Sequence, residues 1–141
     1  MKRRDFVKTS CQICLLSSAG LLLTFMNSCS PAAGNSIFKT EVKNNQIEVP
    51  LSLFDKSPLQ FVRPKGWNYD IAVEKNKDGY LALLMQCTHQ SNQLISTVNG
   101  FTCNLHGSVF DKEGNVRKGP AEDPLKKFKT TISQNSLIIN V

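Results

Sequence analysis

Two short stretches of this chain combine residue types that bind metals. The first is Cys87-Thr88-His89, and the second is Cys103-Asn104-Leu105-His106, which runs on into Gly107-Ser108. Thirteen residues separate His89 from Cys103, and both of the chain's two histidines lie here with two of its five cysteines. Zinc fingers take a cysteine pair from one knuckle and a histidine pair from a helix, C-x2-4-C then H-x3-5-H. Here each half mixes a soft thiolate with an imidazole, with one residue between them in the first half and two in the second. Such halves suit a two-metal object held between two loops, each loop giving one ligand to each metal.

A 2Fe-2S cluster with two thiolates on one iron and two imidazoles on the other is such an object. A single zinc ion and a disulfide are the alternatives at these residues. The run CTH…CNLHGSVFD, followed by GPAEDPL, resembles the Rieske 2Fe-2S domain. The resemblance covers residues 37–141 and implies one cluster per chain. It places Cys87 and Cys103 on one iron and His89 and His106 on the other. It also implies contacts to the cofactor from Gly107, from Ser108, whose hydroxyl donates to a bridging sulfide, and from Pro120. The loop Gly119-Pro120-Ala121-Glu122-Asp123-Pro124 then covers the cluster from a third side.

Mixed ligation has an electrostatic consequence. An oxidised core carries about two positive charges, so two thiolates bring the total near zero where four leave it near minus two. An electron is added more easily, and such centres span roughly −150 to +300 mV against about −400 mV for plant-type ferredoxins. The high-potential members of the family carry a tyrosine that reaches a ligand cysteine, where this chain has Phe110. They join the two ligand loops by a disulfide, at positions matching Asn92 and Leu105 here, and follow the first histidine with an apolar docking residue, here Gln90. All three departures point away from a quinol-oxidising subunit and toward the lower half of the range, roughly −150 to +100 mV.

The elements that must position these residues are short. From Ile37 onward the texture is β-prone runs between turn residues, with no long run of helical period. Strands are expected over Ile37–Val42 and Gln46–Phe54 around the turn pair Asn44-Asn45, then at Phe61–Pro64 and Tyr69–Glu74. Asn76-Lys77-Asp78-Gly79 is a hairpin turn. Tyr80–Gln86 is the most apolar run of this part and leads straight into Cys87; Phe101-Thr102 leads into Cys103 in the same way. A hairpin around Glu113-Gly114 and a closing one around Gln134-Asn135 complete the pattern. Close spacing of strands and turns indicates an all-β fold. The resemblance implies stacked antiparallel sheets with a small cluster-binding subdomain inserted at one end. Trp67, the only tryptophan, reads as a core or edge anchor.

Ahead of this lies an export segment. Arg3-Arg4-x-Phe6-Val7-Lys8 resembles the twin-arginine motif, with Lys2 in place of the usual Ser/Thr. The apolar run from Ile13 to Met26 is 14 residues, shorter than the roughly 20 that span a bilayer and typical of a signal-peptide core. A route that carries folded proteins agrees with a cluster assembled in the cytoplasm. Met26-Asn27-Ser28-Cys29 resembles a lipobox, which makes Cys29 the lipidation residue. Residues 1–28 are then the export signal, 29–36 a flexible tether and 37–141 the folded domain. An uncleaved N-terminal helix and a soluble periplasmic form are the alternatives, because no charge falls between Thr9 and Phe38. Cys11-x-x-Cys14 has redox spacing but no thioredoxin-like surroundings, and reads as apolar filling.

Of the net charge of +6, half belongs to the export segment; beyond residue 28 there are 13 Lys/Arg against 10 Asp/Glu. No basic face interleaved with aromatics exists, so nucleic acid is excluded as a partner. The expectation is an exported bacterial envelope protein, anchored through lipid or helix and facing the periplasm. It carries single electrons between redox proteins whose identity the sequence does not give, and is not a catalyst by itself. A Rieske oxygenase needs two further histidines for a mononuclear iron, and none remain. The other readings are a ferredoxin-like partner of an oxygenase, which the export segment places in the wrong compartment, and a non-redox, metal-stabilised binding module.

Overall fold

The apolar run before Cys87 becomes the strand that both cores of the molecule share. The computed structural model describes residues 36–141. Cys29 and the export segment lie outside the described residues, as does the tether up to residue 35. In chain order the strands are β1 (Ile37–Thr40), β2 (Val42–Lys43), β3 (Gln46–Pro50), β4 (Leu59–Pro64), β5 (Ile71–Asn76) and β6 (Gly79–Leu84). Then come β7 (Ile95–Thr97), β8 (Gly100–Thr102), β9 (Val109–Phe110), β10 (Val116–Lys118), β11 (Lys127–Ser133) and β12 (Ser136–Asn140).

Hydrogen bonding joins these strands into an eight-stranded sheet, ordered β1-β4-β5-β6-β11-β12-β3-β2, and a four-stranded one, β10-β9-β8-β7. Only β1 on β4 is parallel; every other pair is antiparallel. The two ends of the large sheet, β1 and β2, are consecutive in the chain and separated by Glu41 alone. The sheet therefore folds back on itself, and β3 and β12 face β4, β5 and β6.

Side-chain alternation shows the layering. Along β6, Tyr80, Ala82 and Leu84 join a core with Ile47, Val49, Leu137 and Ile139. Leu81 and Leu83, with the following Met85, turn the other way and pack with Phe101, Phe110, Leu94, Cys87 and Cys103. β5 divides likewise, with Ile71 and Val73 on one side and Ala72 on the other. A strand buried on both faces reads as a continuous apolar run, which is what Tyr80–Met85 is. Full burial of each large side chain contributes about 1.5–3 kcal/mol. The result is the expected stack: β3/β12, then β4–β6, then the four-stranded sheet, with the ligand-bearing loops in the last layer.

Some local expectations shift. The strand expected over Gln46–Phe54 stops at Pro50, and Leu51–Asp55 forms a 3-10 turn that buries Phe54. Leu51 N–H still donates to Asn135 O at 3.1 Å, the last bond in the β3–β12 register, before the chain turns away. Tyr69 precedes β5 and is not part of it. β7 was not foreseen: it has three residues and no buried position, so no alternation marks it. The Asn44-Asn45 turn holds, with both φ values positive at 49° and 59°, as a tight hairpin requires. Trp67 is half-buried and tilts against Phe128 at 6.1 Å.

Candidate metal centre

Each candidate cysteine opens a six-residue loop, and the two loops are closed alike. In the first, Cys87 N–H donates to Asn92 O at 2.8 Å and Ser91 N–H to Cys87 O at 2.9 Å. In the second, Cys103 N–H donates to Ser108 O at 2.8 Å and Gly107 N–H to Cys103 O at 3.0 Å. The fifth residue of each loop is left-handed, Ser91 at φ 47° and Gly107 at φ 79°. Glycine takes that conformation without cost. At Ser91 the conformation is held from outside, by the Tyr69 hydroxyl donating to Ser91 O and by Gln86 Nε2 donating to Ser91 Oγ. The two motifs therefore differ only in where the histidine sits, third in one loop and fourth in the other.

The four expected ligands come together as two pairs, thiol beside thiol and imidazole beside imidazole. Cys87 and Cys103 are each 2% exposed and are free thiols. His89 and His106 are exposed, with ring centroids 5.0 Å apart and planes at 84°. Thiols lie inside, imidazoles on the rim. Burial pushes the Cys103 thiol up, but N–H groups of Leu105 and His106, the Cys87 thiol and the Asn92 amide act against burial and hold it below its ordinary value. Donors converging on sulfur favour the thiolate that a metal takes.

Among the described residues, no three His, Cys, Asp or Glu side chains gather where they could share one metal ion. A di-iron core takes two protein ligands per iron, so one thiol pair and one imidazole pair suit it.

The proline-bearing loop is bonded to both ligand loops. Thr88 Oγ1 donates to Asp123 O at 2.7 Å, and Ala121 N–H donates to Ser108 Oγ at 3.0 Å. Ser108 is completely buried. Because its oxygen accepts from Ala121, its own proton is available to a bound group. Gly107 is half-buried and Pro120 is exposed beside these contacts. Behind the first loop, Arg63 pairs with the buried Asp70, Asp70 N–H donates to Gln93 Oε1 at 3.2 Å, and Gln93 Nε2 donates to Leu94 O at 3.1 Å. The carboxylate of Asp70 raises the pKa of the Arg63 guanidinium through that hydrogen bond, against the effect of burial.

From the sequence Asn92 stands out only as a position that lacks the family's cysteine; its contact with the second loop does not. Asn92 Nδ2 lies 3.7 Å from Cys103 Sγ and 3.0 Å from Asn104 Oδ1. The signal was available: aligned on their cysteines, both loops end on a polar residue, Asn92 and Ser108. Aligned on their histidines, they do not.

A stacked all-β fold presenting two cysteine–histidine loops defines a class, the iron–sulfur proteins with mixed ligation. The profile of the Rieske 2Fe-2S domain matches residues 39–129, and the chain belongs to that family, whose cofactor is a 2Fe-2S cluster. The cytochrome b6-f complex iron-sulfur subunit of Gloeobacter violaceus is 24% identical over 84% of this chain and 69% of its own. The ubiquinol-cytochrome c reductase iron-sulfur subunit of Rickettsia typhi is 40% identical over 37% of this chain, and the match spans 31% of that subunit. The crystal structure of the cyanobacterial plasma membrane Rieske protein PetC3 from Synechocystis PCC 6803 superposes with a TM-score of 0.56. That match is 23% identical and covers 67% of this chain and 99% of the other, which supports the fold.

Proposed function

We propose that this chain is a membrane-attached or periplasmic one-electron carrier, or the electron-transfer subunit of a larger oxidoreductase. Cys87 and Cys103 are assigned to one iron, His89 and His106 to the other, with Gly107, Ser108 and Pro120 in contact with the cofactor. When bound, the cluster supplies reversible one-electron transfer. The chain's residues do the rest. The two loops fix four donors in advance, the buried layer beneath keeps water from the thiols, and the exposed imidazoles leave the tip open to a partner. The observation that carries this reading is that two neighbouring loops pair exposed imidazoles 5.0 Å apart and, separately, two buried free thiols.

Attachment through a lipid on Cys29, and a periplasmic aspect, rest on the N-terminal motifs alone. Among the described residues no helix is long and apolar enough to cross a membrane. Mass spectrometry of the N-terminal peptide from a bacterial membrane fraction tests the lipid: acylated Cys29 is expected, and an intact Met1 peptide overturns it.

The function is tested by an EPR spectrum of the dithionite-reduced full chain with a potential titration. A mixed-ligand 2Fe-2S signal is expected, with a midpoint between roughly −150 and +100 mV. Zinc without iron in the purified protein points to a metal-stabilised binding module. A midpoint above about +200 mV overturns the reading of Phe110 and Gln90.

A further inference from the structure

Two separate loops supply the ligands, and nothing covalent joins them: Cys87 and Cys103 are free. Asn92 sends its side-chain amide from the first loop into the second. Its backbone carbonyl closes the first loop by accepting the Cys87 N–H at 2.8 Å. Its side-chain amide then crosses to the second loop, 3.0 Å from Asn104 Oδ1 and 3.7 Å from Cys103 Sγ, and donates to Gln93 O at 3.1 Å. A primary amide has two protons and no more, so three acceptors share two hydrogens. All three neighbours accept, which fixes nitrogen rather than oxygen on this side of the amide. Leu105, by contrast, is 54% exposed and offers no such tie.

We propose that Asn92 is a positioning residue with two separable effects: its bond to Asn104 clamps the ligand loops together, and its N–H toward Cys103 Sγ raises the midpoint potential. The inference rests on the ligand assignment above. The clamp follows from geometry, since one side chain is anchored by its own backbone in one loop and bonded to the other. The effect on potential follows from charge. An N–H dipole aimed at a ligating thiolate stabilises added negative charge more than it stabilises the oxidised site, so reduction becomes easier.

The test uses the full-length holoprotein and two variants that divide the effects. Asn104→Ala removes the clamp and keeps the donor to sulfur. Asn92→Leu, of similar size, removes both. The readouts are the midpoint potential and the rate of iron loss to a chelator at fixed pH. Asn92→Leu is expected to lose iron several-fold faster and to have a lower midpoint. A tenfold change in the equilibrium with a one-electron partner corresponds to about 59 mV. Asn104→Ala is expected to lose iron faster with the midpoint nearly unchanged. If Asn92→Leu does not fold, Asn92→Ser, too short to reach the sulfur, gives the same readings.

The proposal is overturned if wild type and Asn92→Leu share one midpoint and one rate of iron loss. A potential shift without faster iron loss overturns the clamp, and the reverse overturns the sulfur donor. If wild type itself lacks the mixed-ligand EPR signal, the ligand assignment falls, a result distinct from any of these.

Discussion

Two buried polar residues make different contributions, Ser108 to holding loops and Asp111 to pH dependence. Ser108 Oγ is the acceptor for Ala121 N–H at 3.0 Å in a fully buried position. Ser108→Ala leaves that N–H without a partner, at a cost of about 1–3 kcal/mol, and removes the hydroxyl proposed to contact the cofactor. A lower denaturation midpoint together with a lower reduction potential is expected; unchanged values in both refute the role. Asp111 is held by its own hairpin. Burial alone pushes its carboxyl up, but the Asn115 N–H at 2.7 Å, the Asn115 amide at 3.1 Å and Arg117 at 2.8 Å hold it below the usual carboxylate range. A carboxyl lowered on folding stabilises fully above its unfolded pKa, about 3.9, and that stabilisation is lost as pH falls through the folded value. Asp111→Asn is therefore expected to cost about 1–3 kcal/mol at pH 7 and to approach wild type below about pH 4. Urea midpoints measured at pH 7 and pH 3 check the convergence. At this scale the sequence was legible where residue type and short-range spacing were the signal, as for Cys87, His89, Cys103 and His106. The bridging role of Asn92 was harder to see, because its acceptors lie 11 and 12 residues away in another loop and the likeness of the two loops shows only when they are aligned on their cysteines.

The four-stranded sheet depends on one close approach between strands. Gly100 opens β8 at φ 140°, and a Cβ there would lie 2.2 Å from Phe110 O and 2.7 Å from the Asp111 carbonyl carbon. Both atoms are backbone, so neither can rotate away, and the conformation itself disfavours any other residue. Gly100→Ala is expected to cost roughly 3 kcal/mol or more. It should also lower iron content, because β8 delivers Cys103 one residue past its end at Thr102. Full iron loading with an unmoved unfolding midpoint would count against this account. Element by element, strands buried on alternate or both faces announced themselves, β6 above all. The 3-10 turn at Leu51–Asp55 did not, because Leu51-Ser52-Leu53 alternates as a strand does, whereas in the fold the segment curls to bury Phe54. β7 left no trace because only its partner β8 defines it.

Across the whole molecule, the division into two cores sets what the cofactor stabilises. One core, between β3/β12 and β4–β6, is built from Ile47, Val49, Val62, Ile71, Val73, Ala82, Leu137 and Ile139 and contains no candidate ligand. The other includes Cys87 and Cys103 among Met85, Leu94, Phe101, Phe110 and Leu125. A metal that binds only the folded state adds its binding free energy to whichever unit must fold to bind it. Here that unit is the outer layer, since both ligand loops and the proline-bearing loop belong to it. The inner core holds none of the candidate ligands, so its burial does not depend directly on iron. Removing the cluster is therefore expected to abolish amide protection in the loops 87–92 and 103–108 and to weaken it in β8 and β9. Protection in β3, β5 and β12 should persist near the global limit. Hydrogen exchange on holo and iron-stripped protein reads the difference. A uniform loss of protection through all three layers would mean that the cores unfold as one, and that the cluster holds the entire sandwich rather than its outer face.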